Sequence, residues 1–211
     1  MPHLYPAETI TYMKRRGVKL PLTVAVMTDY TCIPFWEETN CDYYITPHKG
    51  LHEEIIKRGL PEEKLKPFGI PVSAVCGSGI EKSEARARLG LDERMKYILV
   101  SGGSMGAGNI WRLVNKLSQA VDKNEKIILI CGSNRKLYSR FKKASVKGVT
   151  VKGHVNNMPL YMRACDIIYT KPGGLTSTEA AVSGIPIVHT SPIPGCETKN
   201  RKFFKENGLC V

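Results

Sequence analysis

The sequence predicts an α/β protein built on a parallel, doubly wound sheet with helices on both faces. Three observations carry that prediction. From Lys96 onward, short apolar runs and helix-period stretches alternate without a break. The turns leading from strand to helix are rich in glycine and hydroxyl residues. No internal repeat or low-complexity tract interrupts the rhythm.

In chain order, residues 23–28 read as a buried strand ending at Asp29, and residues 41–46 as a second. A helix over 48–58 follows, stopped by Gly59, and 65–68 form a third strand. Glycine, proline and serine crowd 69–79, so 71–93 reads as a linker carrying a short helix at 82–89. The regular series begins with strand 97–101, helix 110–121, strand 126–131, helix 135–144 and strand 149–151. It continues with helix 158–164, strand 167–170, a helix after the Gly173-Gly174 turn and strand 185–188. On this reading 1–70 is the C-terminal part of one domain and 94–211 most of another. The first segment has too few strands to close a sheet, and Leu209-Cys210-Val211 reads as a strand just begun. A fragment of a longer protein is therefore expected.

The 211 residues are enough for a sizeable core, and 42% hydrophobic with 24% charged residues is ordinary globular composition. The formal net charge of +12 is not ordinary and implies an acidic partner: nucleic acid, an anionic membrane face or a charged substrate. No arginine-rich or aromatic-interleaved stretch supports nucleic acid, and part of the charge is solvated helix surface. The seven cysteines are odd in number and lack Cys-x-x-Cys spacing, which suits reduced, buried thiols in the cytosol and neither a disulfide frame nor a zinc site. No apolar run approaches the roughly twenty residues that cross a bilayer. The start, Met1-Pro2-His3-Leu4-Tyr5, has no signal-peptide pattern. Membrane contact is therefore expected to be peripheral.

Residues 171–200 carry the chemistry. Lys171-Pro172-Gly173-Gly174-Leu175-Thr176 sets a Gly-Gly turn and a hydroxyl at a strand-to-helix junction, where backbone amides can meet an anion. Glu179, one helical turn further on, can accept two hydrogen bonds from a ribose diol. A second polar loop, Pro194-Gly195-Cys196-Glu197, follows at the next such junction. In an open parallel sheet both loops lie over the carboxyl ends of the strands, where such folds bind ligands. The arrangement suits a sugar nucleotide, although a tight turn and a helix N-cap explain the Gly-Gly pair equally well when it is taken alone.

A third glycine loop, residues 101–109, occupies another strand-to-helix junction suited to phosphate. It is not a dinucleotide fingerprint, because no Gly-x-Gly-x-x-Gly register fits. It is not a Walker loop either: Gly103 and Gly108 have the spacing, but Asn109 stands where lysine is required.

With these residues in view, the chain resembles the diacylglycerol glycosyltransferases of the MGDG-synthase and processive glucosyltransferase type, similar in turn to the MurG-like family 28 enzymes. The likeness runs through Val26-Met27-Thr28-Asp29-Tyr30, Asp42-Tyr43-Tyr44, Gly69-Ile70-Pro71-Val72, Gly102-Gly103-Ser104-Met105-Gly106, Val151-Lys152-Gly153-His154-Val155, residues 170–180 and Pro194-Gly195-Cys196-Glu197. It implies a GT-B fold of two Rossmann-like domains with parallel sheets, the first incomplete here. Residues 1–70 then belong to the acceptor domain and 94–211 to a C-terminally truncated UDP-sugar domain. By resemblance Gly103 and Ser104 approach the diphosphate, the main chain at Val155 holds uracil, and Gly173, Gly174 and Thr176 close on phosphate. Glu179 takes the ribose, and Gly195, Glu197 and Asn200 face the sugar. Cys196 replaces the glutamine such enzymes commonly carry, and the N-terminal glycine-rich loop with its histidine is missing from the sequence.

The implied reaction moves glucose or galactose from UDP-glucose or UDP-galactose to diacylglycerol at the inner face of the cell membrane, on anionic lipids, with no cofactor, metal or nucleic acid. It needs a general base and positive potential for the leaving diphosphate. No Asp-x-Asp metal motif occurs. By resemblance the main base belongs to the missing N-terminal loop; within this chain Asp29, at a strand end, reads equally as the base or as a turn cap. His48 reads as a helix-start residue, His154 as a neighbour of the base pocket, and His189 as either sugar-site lining or cleft wall. Trp36 reads as a surface anchor and Trp111 as core. Three rivals stand beside this reading: a MurG-like N-acetylglucosaminyltransferase, a UDP-N-acetylglucosamine 2-epimerase, and an inactive UDP-binding fragment.

Overall fold

The computed structural model describes residues 3–103, 105, 106 and 108–211, and the chain divides into two compact units, Met1–Pro71 and Val72–Val211. The first holds α1 (Leu4–Arg15), a helix not expected from the sequence, and a parallel three-stranded sheet of β1 (Val24–Val26), β2 (Tyr43–Ile45) and β3 (Leu65–Lys66) in that order. α2 (His52–Lys57) lies between the second and third strands. Asp42 fastens the unit. Its carboxylate accepts from Lys14 Nζ on α1 at 2.8 Å and from the Thr23 amide and hydroxyl at 2.7 and 2.6 Å, which hold it well below the usual carboxylate range. Trp36 corrects its expected place: it is 3% exposed and meets the Tyr44 ring edge-on at 6.2 Å, so it belongs to the core.

The second unit begins earlier than a linker at 71–93 implies. α3 (Lys82–Leu89) ends at Gly90, whose φ of 65° gives the left-handed cap such ends prefer. Its Arg86, 7% exposed, donates to Ala164 O, Glu93 O and Asp166 Oδ2 at 2.8–2.9 Å. Asp166 also accepts from Lys82 at 2.9 Å and from the Tyr97 amide at 2.7 Å. These bonds bind the segment to the rest of the unit.

The regular series follows: β4 (Lys96–Ser101), α4 (Ile110–Ala120), β5 (Glu125–Ile130), α5 (Arg135–Ala144), β6 (Val149–Lys152), α6 (Met158–Ala164), β7 (Ile167–Thr170), α7 (Gly174–Val182), β8 (Ile187–His189) and α8 (Cys196–Glu206). All five strands are parallel, in the order β6-β5-β4-β7-β8. Covered on both faces, the central strands are apolar through their middles; Leu99, Val100, Ile127 and Leu129 are fully buried. One core cluster joins Val100, Ile127 and Leu129 to Val114 of α4 and Phe141 of α5. Trp111 is only partly buried, against Phe141 and beneath the Arg140 guanidinium, 3.8 Å from its ring centre. Beyond the outer edge of β8, Val211 exchanges hydrogen bonds with Ile187 and His189. The strand order reverses between β4 and β7, and in such sheets the ligand crevice opens at that point, outside the carboxyl ends.

Candidate functional site

The loops after β4, β7 and β8 converge there within the second unit. The loop after β4 is built on left-handed glycines. A Cβ on Gly106 (φ 56°) would sit 2.4 Å from the Cys131 carbonyl oxygen, so only glycine fits against the end of β5. Asn134 holds the same glycine from the other side: its Nδ2 donates to Gly106 O at 3.1 Å, while its Oδ1 accepts from Leu137 N at 2.9 Å and caps α5. Gly103 donates its amide to Ser101 Oγ at 3.2 Å. Ser104, expected at the diphosphate, lies outside the described residues.

After β7, Gly173 forms the N-cap of α7 without any side-chain cap. The first amides of a helix have no intrahelical partner, so this end of α7 offers donors of the kind that suit an anion. Gly173 has an ordinary φ of −74°, and no atom would lie within 4 Å of a Cβ placed on it. The protein itself does not require glycine at this position. Gly174 is buried, its carbonyl accepting from Thr178 Oγ1 at 2.7 Å, and Thr176 is half-buried. Glu179 stands one turn into the same helix, half-buried, and its carboxylate has no hydrogen bond or ion pair to the described residues. Burial raises its pKa. It is a carboxylate lacking the donors that buried carboxylates normally have.

After β8, the expected sugar-facing residues divide. Gly195 (φ 112°) caps α8. Glu197 is 6% exposed, with Oε1 on Lys171 Nζ at 2.5 Å and Oε2 on the Ile193 amide at 2.8 Å. Asn200 is fully buried and donates to Pro172 O at 3.1 Å, bracing the loop after β7 from beneath. These two side chains tie loops together here; neither lies open on the crevice. His189, 6% exposed, meets Ser177 Oγ at 2.9 Å through Nε2. Burial first, then Arg201, push its imidazole down to about 4 against the pull of Glu197, so the ring is neutral at neutral pH.

Val155 lies half-buried in the loop after β6, its peptide groups unengaged by the described residues. His154 nearby is exposed and pairs with Asn156 Oδ1 at 3.1 Å. Asp29 belongs to the first unit, three residues past β1. His48 is a turn-starting cap, its Nδ1 accepting from Gly50 N at 3.0 Å. Sequence reasoning gave no role to Lys171, although a lysine directly after an apolar strand was a legible signal.

A doubly wound parallel sheet with glycine loops and an uncapped helix end around its switch point defines an α/β architecture of the GT-B type. Acinetobacter baumannii MurG shares it, with a TM-score of 0.61 at 18% identity over 94% of this chain and 54% of that one. So does Staphylococcus aureus MnaA in its UDP co-structure, at 0.61, 15%, 99% and 64%. The chain belongs to glycosyltransferase family 28: the model of that family's C-terminal domain matches residues 97–208. The monogalactosyldiacylglycerol (MGDG) synthase family model matches residues 2–72. The chain is 28% identical over 212 residues to the processive diacylglycerol beta-glucosyltransferase of Bacillus pumilus, covering 98% of this chain and 55% of that protein. It is 33% identical over 198 residues to monogalactosyldiacylglycerol synthase 1 of Arabidopsis thaliana, covering 90% and 37%. The chain thus spans about half, or less, of the length of these relatives.

Proposed function

We propose that this chain carries the donor half of a glycosyltransferase that moves a hexose from a UDP-sugar to diacylglycerol, making a membrane glycolipid. One observation carries the reading: the half-buried Glu179, whose carboxylate has no partner among the described residues, stands one turn from the uncapped N-terminus of α7. Phosphate on the α7 amides and a ribose diol on Glu179 satisfy both ends at once. Gly103 and Ser104 approach the diphosphate from the loop after β4, and Thr176 adds a hydroxyl. The free peptide groups of Val155 suit the edge of uracil. The names of the relatives, diacylglycerol glucosyltransferase and monogalactosyldiacylglycerol synthase, support the acceptor and the two donor sugars.

The acceptor hydroxyl attacks the anomeric carbon, a base removes its proton, and UDP leaves; the main base is expected in the family's N-terminal glycine-rich loop, and Asp29 is the candidate within this chain. No cofactor beyond the donor is invoked. Among the described residues no helix is long and apolar enough to cross a membrane, and the formal charge is +12. The charge supports our reading that the whole protein works on the anionic inner face of the cell membrane. Calorimetric titration of the 211-residue chain with UDP and with ADP tests the site. UDP is expected to bind and ADP to bind more weakly; no UDP binding, or equal binding of both, overturns the reading.

A further inference from the structure

We propose that Lys171 is a further residue of the donor site: the cation that meets the diphosphate as UDP departs, aimed by Glu197. The proposal rests on the donor-site reading above. Glycosyl transfer breaks the bond between the anomeric carbon and a β-phosphate oxygen. The electron pair stays on that oxygen while the acceptor oxygen bonds to carbon and yields its proton to the base. Amides at a helix end offer partial charges to the departing oxygen; a positioned ammonium offers a full one.

Four observations converge on Lys171. The strand-end loops of the second unit span 102–109, 131–134, 153–157, 171–173 and 190–195, and Lys171 is the one lysine or arginine in all of them. Its stem leans across the glycine loop, with Cε 3.1 Å from where a Gly103 Cβ would stand, between the two segments assigned to phosphate. Its Nζ is held at 2.5 Å by Glu197 Oε1, and Glu197 is fixed by the Ile193 amide. Within the pair the carboxylate is the covered member, 8% exposed, and the lysine the open one, 23% exposed. An ammonium has three N–H donors. Glu197 takes one, and the described residues take neither of the others. Asn200 supports the same loop through Pro172 O. Glu197 is thus a positioning residue that sets the direction of the lysine, and Lys171 touches the leaving group.

The test compares UDP with uridine, which lacks the diphosphate, by calorimetry on the 211-residue chain and on two variants. Lys171→Met leaves Glu197 buried without its cation, so the double variant Lys171→Met/Glu197→Gln is measured beside it to separate folding from binding. In both variants UDP is expected to bind about tenfold more weakly, the scale of one hydrogen bond to a charged group, with uridine affinity unchanged. The salt dependence of UDP binding is expected to flatten as one charge is removed. Parallel weakening of UDP and uridine in the double variant, or undiminished UDP binding there, overturns the assignment to Lys171. Failure of the unsubstituted chain to bind UDP overturns instead the donor-site reading on which it rests.

Discussion

Replacing Glu179 separates a ligand-binding carboxylate from a structural one, because the two roles predict opposite signs. In the unliganded protein Glu179 is half-buried, has no donor among the described residues, and has its pKa raised by burial. A carboxyl whose folded pKa lies above its unfolded value lowers stability as pH rises through that window, and the penalty persists at neutral pH. Removing the charge is therefore expected to leave the melting temperature at pH 7 unchanged or higher. Binding moves the other way. Two ribose hydroxyls donating to an ionised carboxylate are worth about 1–3 kcal/mol, so Glu179→Ala is expected to raise the Kd for UDP roughly 5- to 150-fold. Glu179→Gln, which keeps shape and one acceptor, is expected to fall at the lower end. UDP affinity of the unsubstituted chain is also expected to decline as pH is lowered through the raised pKa, since the protonated acid accepts poorly. Thermal melts and calorimetric titrations with UDP decide the matter. An unchanged Kd in a folded variant, or a marked loss of stability without ligand, refutes the assignment.

Gly173→Ala is expected to melt like the unsubstituted chain, because its φ is ordinary and no atom lies within 4 Å of the added methyl; UDP binding is expected to weaken as that methyl enters the phosphate seat. Full UDP affinity in Gly173→Ala removes phosphate from that position. Arg86→Ala removes the bonds to Ala164 O, Glu93 O and Asp166 while Lys82 and the Tyr97 amide still hold Asp166, and is expected to destabilise by about 1–3 kcal/mol, read as a fall in denaturation midpoint. The full-length protein is expected to sediment with phosphatidylglycerol vesicles and to be released by salt, each basic residue near the surface contributing about 1 kcal/mol. Equal, salt-insensitive binding to neutral vesicles refutes the electrostatic account.

The regular part of the fold was legible because its strands are buried on both faces. Their apolar runs stand out between polar turns, and α3, α5 and α6 begin and end where expected. The first unit was harder. Its strands are two or three residues long, and α1 lacks a continuous apolar stripe: only Ala7 and Thr11 are buried. Trp36 was misplaced because neighbouring Glu37 and Glu38 make the segment look exposed, whereas the aromatic core around Tyr44 takes the ring. At the proposed site, the positions of the glycine turns and of Glu179 at strand-to-helix junctions could be read because backbone approach and a lone acid leave marks in sequence; their roles rest on the proposal. The Lys171–Glu197 pair and the burial of Asn200 could not be read, since both depend on the loop after β7 meeting residues of α8 that lie 26 and 28 positions further on.

Asn134 has one further consequence. Its amide group serves two masters, a carbonyl in the loop after β4 and the first turn of α5. Aspartate keeps the cap but turns an acceptor toward the Gly106 carbonyl; serine keeps the cap but falls short; leucine of similar size satisfies neither. Position 134 therefore admits very little sequence drift, though it touches no expected ligand. It behaves as a rivet through two plates, and the plate carrying the glycine loop inherits any looseness that arises in the other.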